Sequence, residues 1–236
     1  LEGEFESGIE ELNEAEALLV EEDDRLGVAT TRLMRSFGTA PLIGADRAEA
    51  ELAANLAAFE EIGDLWGIGT TLHAMSRLRV VYEDYDGAGD LFERAVAAVE
   101  LVGDDLGIAL ASGNLAMSKL AAGDVAGARA VMARVVEHRR SIGITFAGDD
   151  ALDILARIEH AEGENEWATV LLGAADRLRE VIHTPLWEPL LDRHRRLLAE
   201  LRAEIGDAPF EAAYARGAAL EVEEMQDLAC RLAGAV

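Results

Sequence analysis

The chain has a single cysteine among its 236 residues, Cys230, so it can form no internal disulfide. Such sparing use of cysteine fits a reducing cytoplasm. Prolines number four, at 41, 185, 189 and 209, which leaves long stretches without a helix breaker. Aromatic residues make up 5% of the chain while alanine is abundant, a balance that suits helices packed at close range. No run reaches the ~18 consecutive apolar residues that a membrane-spanning helix needs. Nor is there the succession of basic, apolar and small residues that marks a signal peptide. Positive charge is scarce. Lys119 is the only lysine, and the formal net charge is −25. Nucleic acids and anionic membranes both call for a basic footprint, so the charge argues against direct contact with either.

What is present is a repeat. Ala48, Ala88, Ala128 and Ala168 lie 40 residues apart. Leu26-Gly27, Trp66-Gly67 and Leu106-Gly107 keep the same step, with Phe146-Ala147 as an eroded copy. So do Ile62-Gly63, Val102-Gly103 and Ile142-Gly143. Three features at one period predict an all-α array of antiparallel helix pairs, each pair touching only its neighbours.

Superposing the copies predicts helix pairs over 23–38 with 45–62, 64–82 with 86–102, 104–122 with 126–141, and 146–162 with 165–182. The first member of each pair is an A helix and the second a B helix. Gly123 and Gly163 suit the left-handed end of a helix, and Asp124 suits the cap of the next one. Asp64 and Asp104 place negative charge where helices begin. The repeated alanine lets the two helices of a pair approach closely.

Gly3 through Gly8 aligns with Glu83 through Ala88 two periods on. Residues 1–22 therefore read as a lone B helix of a truncated repeat, with Phe5, Ile9, Leu12, Ala15 and Leu19 on its apolar face, partly uncovered. The sequence reads as a piece of something longer. After His183-Thr184-Pro185 the period fails. The array is assigned to 1–183, and helices over 186–205, 208–217 and 221–234 form a C-terminal cap, 184–236.

Asn114 through Ala128, with its Gly123-Asp124 turn, resembles a tetratricopeptide (TPR) repeat, although that family's period is shorter. The resemblance implies a right-handed α-solenoid that binds peptides along its concave side. Leu171 through Arg179, followed by Ala208 through Leu220, is similar to the C-terminal sensor region of large bacterial signal-transduction ATPases, including LuxR-type transcriptional regulators. In that group a nucleotide-binding domain precedes the array. The resemblance covers about residues 20–236 and implies a context, not a chemistry.

Catalytic signatures are thin. A phosphate-binding loop requires Gly-Lys-Ser/Thr, and Lys119 lies instead in Met-Ser-Lys-Leu. The five histidines include no pair at i+3 or i+4, so no metal site and no cofactor are expected. Asp149, Asp150 and Asp153 read as charges favouring a helix N-terminus. The runs His138-Arg139-Arg140 and Arg193-His194-Arg195-Arg196 read as solvated faces. Residues 2–24 hold eleven acids and no Lys or Arg, which gives a solvated face or a docking edge for a basic partner.

The surface left for function is the inner face of the A helices. On 64–82 the stripe Ile68, Leu72, Met75, Leu78 packs, and Thr70, His73 and Arg77 share another face. Asn114 occupies the matching face of the next A helix, and Asp153 and Arg157 that of the fourth. These six are expected to line one groove for a protein, peptide or small-molecule effector, with the two arginines favouring a carboxylate-bearing one. The expected function is non-catalytic sensing within a cytoplasmic bacterial regulator, by contacts with upstream domains of the same chain. The rivals are a scaffold that dimerises through helix 4–21 and an enzyme using Asp150 and Asp153.

Overall fold

The structure, a computed structural model, describes residues 2–85, 87–141, 143, 150–183, 186 and 188–235. Within these, the side chains of 2–6, 37, 38, 40–42, 106, 109, 110, 150, 188 and 189 are not described. Among the described residues the only regular elements are α-helices, twelve in all. None is long and apolar enough to cross a membrane.

The chain divides into two compact units, Leu1–Ala111 and Ser112–Val236, and the division falls inside α6 (Asp105–Ala121). In the first unit, α1 (Glu2–Glu21), α2 (Arg25–Ile43), α3 (Ala45–Ile62), α4 (Leu65–Val81) and α5 (Ala88–Val102) each pack on the next. α2 also touches α4. The second unit contains α7 (Val125–Ser141), α8 (Asp150–Ala161), α9 (Asn165–Ile182), α10 (Glu188–Ile205), α11 (Asp207–Ala218) and α12 (Val222–Ala233). Here α9 is central. It packs on α8, α10 and α11, while α12 returns to α7 and α8.

Most of the helix connections begin with one recurring turn. Left-handed residues fall at Asp23, Gly63, Gly103, Gly143 and His183, and again at Glu83, Gly123 and Gly163, so each series advances by 40 residues. Glycine takes this conformation without a Cβ penalty, which explains why it fills five of the eight positions. The residue after the turn bonds back five places. The N–H groups of Asp24, Asp64, Asp84, Asp104, Asp124 and Glu164 donate to the carbonyls of Leu19, Phe59, Arg79, Val99, Lys119 and Glu159 at 2.8–3.1 Å. Those bonds satisfy carbonyls that the helix end would otherwise leave open.

The same residue then starts the next helix. The carboxylates of Asp24, Asp64, Asp104 and Asp124 each accept the N–H of the glycine three residues on, all at 2.9 Å. Each such cap stabilises its helix by about 1 kcal/mol. Glycine is required opposite the cap at Gly67, where a Cβ would fall inside the ring of Phe59.

The four spaced alanines are all buried. Ala48, Ala128 and Ala168 donate to the carbonyl four residues back, and Ala88 donates to Tyr85, three back. Around them the core is aliphatic. Leu33, Phe59 and Leu72 are fully enclosed in the first unit, and Leu152, Leu155, Leu171 and Leu201 in the second. On α4, Leu72, Met75 and Leu78 are buried, with Ile68 at the margin.

The tail is tied down by charge as well as packing. Arg129 on α7 donates to Glu159 and Glu162 on α8, each at 2.8 Å, and to the Leu232 carbonyl on α12. The guanidinium groups of Arg216 and Arg231 lie over the ring of Trp167 on α9, at 5.1 and 5.0 Å from its centre.

One boundary differs clearly from the sequence reading. α2 continues to Ile43 instead of ending at 38, carrying Pro41 within its last turn. α8 begins at Asp150, whereas 144–149, with the Phe146-Ala147 copy and Asp149, lies outside the described residues. Thr184 and Pro185 lie outside them too. The basic runs are also not uniformly solvated. Arg139, Arg193 and His194 are buried, and only Arg140, Arg195 and Arg196 are exposed.

Candidate functional site

Thr70, His73 and Arg77 lie on α4 at spacings of three and four, on the side away from the buried stripe. Thr70 and His73 are half-buried and Arg77 is exposed. They belong to the first unit. Asn114, Asp153 and Arg157 belong to the second and are half-buried. Asp150 starts α8, but its side chain is not among those described.

Asp153 is occupied. Its Oδ2 accepts from Arg179 Nη1 at 2.5 Å, and its Oδ1 lies 3.2 Å from His194 Nδ1. Arg179 reaches onward through Nη2 to Asp176 Oδ1 at 2.8 Å. His194 Nε2 lies 3.0 Å from Asp176 Oδ2, which also accepts the Tyr214 hydroxyl. Five side chains from α8, α9, α10 and α11 therefore close one network. Asp153 sits on the first helix, Asp176 and Arg179 one turn apart on the second, and His194 and Tyr214 on the last two.

The electrostatics follow from that closure. Burial alone would lower the His194 pKa, but hydrogen bonds and charge from Asp153 and Asp176 lift it to about 9. Burial would raise the Asp176 carboxyl; the bonds from His194, Tyr214 and Arg179 outweigh it and bring it down to about 2. Asp153 is likewise held below the usual carboxylate range against its burial, by His194 and Arg179. Burial and the bond to Asp176 push the Tyr214 phenol up.

Two carboxylates, a guanidinium, an imidazole and a phenol at one point resemble an acid–base site. Their protonation states point elsewhere. His194 is an imidazolium with both N–H groups donated, so it has no lone pair for a base or a metal ligand. Asp176 has no proton to give near neutrality. Two negative and two positive charges cancel. The arrangement is suited to fastening α10 and α11 onto α8 and α9. Beside it lies a cleft of about 350 Å³ lined by Asp176, Glu180, Tyr214 and Glu221. Its polar groups already have partners within the protein, such as Arg177 with Glu180 and the Glu221 side chain with the N–H of Glu224. Among the described residues, no three His, Cys, Asp or Glu side chains converge as a metal cage.

Sequence reasoning placed Asp153 on the A-helix face and missed Asp176, Arg179, His194 and Tyr214. One signal was available. Asp176 and Arg179 stand three apart, directly after the apolar run 171–175, a spacing that pairs charges on a helix. No protein-family model matches the chain, and no curated protein matches it in sequence.

Proposed function

We propose that the chain is a non-catalytic binding module, a TPR-like α-solenoid of antiparallel helix pairs with a 40-residue period and a right-handed superhelix. It acts as the sensor region of a larger cytoplasmic bacterial regulator, of the LuxR type or a relative with an upstream ATPase. The observation that carries this reading is the advance by 40 of the left-handed turn residues and of the caps Asp24, Asp64 and Asp104. Stacked repeats offer extended surfaces made of equivalent positions, and such surfaces serve binding.

The effector, a protein, peptide or small molecule, contacts the inner faces of the A helices. On α4 that face carries Thr70, His73 and the exposed Arg77; Arg157 stands two periods beyond Arg77, and Asn114 lies on the matching face of its own helix. Arginine on so acidic a chain favours a carboxylate-bearing ligand through charge-assisted hydrogen bonds. Occupancy changes how the array meets the upstream domain of the same chain.

A thermal-shift screen with organic acids and peptides, run beside a molar-mass measurement, tests this. A carboxylate-bearing hit is expected, and Arg77→Ala and Arg157→Ala are each expected to weaken it by ~1.5–3 kcal/mol. Unchanged affinity in both variants moves the ligand off these faces. A constitutive dimer that binds nothing supports the scaffold instead. Substrate turnover abolished by Asp153→Asn or His73→Ala makes the chain an enzyme.

A further inference from the structure

We infer that the helix seams are sorted by charge. One ion pair recurs two periods apart with its signs exchanged, and it bars the helices of one seam from pairing with those of the other. The sorting rests on the 40-residue register and needs no ligand, so it stands or falls separately from the effector reading above.

In the first unit, Glu49 near the start of α3 meets Arg79 near the end of α4 at 2.5 Å. In the second, Arg129 near the start of α7 meets Glu159 near the end of α8 at 2.8 Å. Two periods separate 49 from 129 and 79 from 159, so these are the same two positions. Acid and base occupy them in one unit, base and acid in the other. Glu159 is buried and the other three are half-buried.

The apolar residues beside the pair do not make this distinction. Leu52, Leu72 and Leu78 at the first seam match Met132, Leu152 and Ile158 at the second, and all six are buried. Surfaces so alike allow α3 of one chain to lie against α8 of another, the exchange of equal elements to which repeat proteins are prone. Charge opposes it. α3 on α8 would set Glu49 against the enclosed Glu159, and α7 on α4 would set Arg129 against Arg79. Both like-charged contacts would fall where little water screens them. An ion pair at the surface contributes little to stability. Specificity is instead the difference between right and wrong pairings, and repulsion in the wrong one enlarges it. The intervening copy has Gly89 and Lys119 at these positions, and Lys119 is engaged by Asp124 of its own turn at 3.1 Å. At the far end of α3 and α7, the equivalent and buried Phe59 and Arg139 add a difference of shape.

The test exchanges the first pair in the full chain. Glu49→Arg alone is expected to lower stability in chemical denaturation. Adding Arg79→Glu is expected to restore most of the loss, because the bridge re-forms with its signs reversed. Both seams then carry base on the B helix and acid on the A helix. After refolding from denaturant at rising protein concentration, the exchanged variant is expected to give at least about three-fold more dimer and larger species than wild type. Size exclusion with light scattering reads the fraction. The control is Glu60→Arg/Arg94→Glu. It exchanges another interhelical pair of the first unit, 3.5 Å apart, whose counterparts two periods on are Arg140 and Ala174 and carry no opposite charges. The control is expected to refold as wild type does. Assembly of the exchanged variant at the wild-type level overturns the sorting, and so does equal assembly in the control. Failure of Arg79→Glu to restore what Glu49→Arg costs overturns it as well, since the two positions would then not be interchangeable in sign.

Discussion

Replacing Arg179 by methionine is expected to destabilise the second unit by ~3 kcal/mol, because it leaves two half-buried carboxylates facing one imidazolium. Arg179 and His194 are almost wholly enclosed, at 7% and 4% exposure, so water reaches the lost contacts only through the partly open carboxylates. Chemical denaturation of the variant beside wild type measures the loss. A shift below 1 kcal/mol would mean that the network is solvated and does not fasten the tail helices. The same network makes stability depend on pH. The folded His194 pKa of about 9 stands above its ordinary value of 6.5. Its contribution, on the order of 3 kcal/mol, is therefore complete below pH ~6.5 and disappears as pH climbs through 9. Asp176 runs the other way. With a folded value of about 2 against an ordinary 3.8, its contribution is present above pH ~4 and is lost as pH falls through 2. Stability from this network is expected to be greatest between about pH 4 and 6.5. In His194→Gln the alkaline decline should flatten. An unchanged alkaline slope in that variant would place the titrating group elsewhere.

Gly217→Ala is expected to cost ~3 kcal/mol or more, although it adds one methyl group. A Cβ on Gly217 would run into the Val170 carbonyl and come within 2.9 Å of the Ala174 N–H nitrogen. Gly173, facing it on α9, would meet the Tyr214 carbonyl in the same way. Both obstacles are backbone, which cannot rotate aside as a side chain can. α9 and α11 would have to separate, and Tyr214 would move off Asp176 as they did. The loss is expected to appear as a fall in Tm on the order of 10 °C. A variant as stable as wild type would show that the two helices do not cross in contact at these glycines.

The turns were legible in the sequence because their chemistry is local. A left-handed glycine followed by an aspartate that accepts an N–H three residues on needs no distant partner. Gly123-Asp124 therefore read correctly from four or five letters. The burial of Ala48, Ala88, Ala128 and Ala168 was legible for a related reason, a period long enough to compare copies. The tail network was not legible. Asp153, Asp176, His194 and Tyr214 come from four helices and meet only because α10 and α11 fold back onto α9. His194 sits among three arginines, and composition alone makes such a run look solvated. Helical periodicity turns Arg193 and His194 inward while Arg195 and Arg196 remain outside. Asp153 was assigned to an effector face on spacing alone, and spacing cannot tell that Arg179 lies across the helix pair.

The central claim is that a single 40-residue unit is used repeatedly, so that the same position does the same work in each copy. Unfolding of four single variants, Ala48→Leu, Ala88→Leu, Ala128→Leu and Ala168→Leu, addresses it directly. Equivalent seams between paired helices should each be overpacked, and all four variants are predicted to lose comparable stability, ~1–3 kcal/mol apiece. Full stability in any one of them, with loss in the others, would contradict the shared register and the binding surface argued from it.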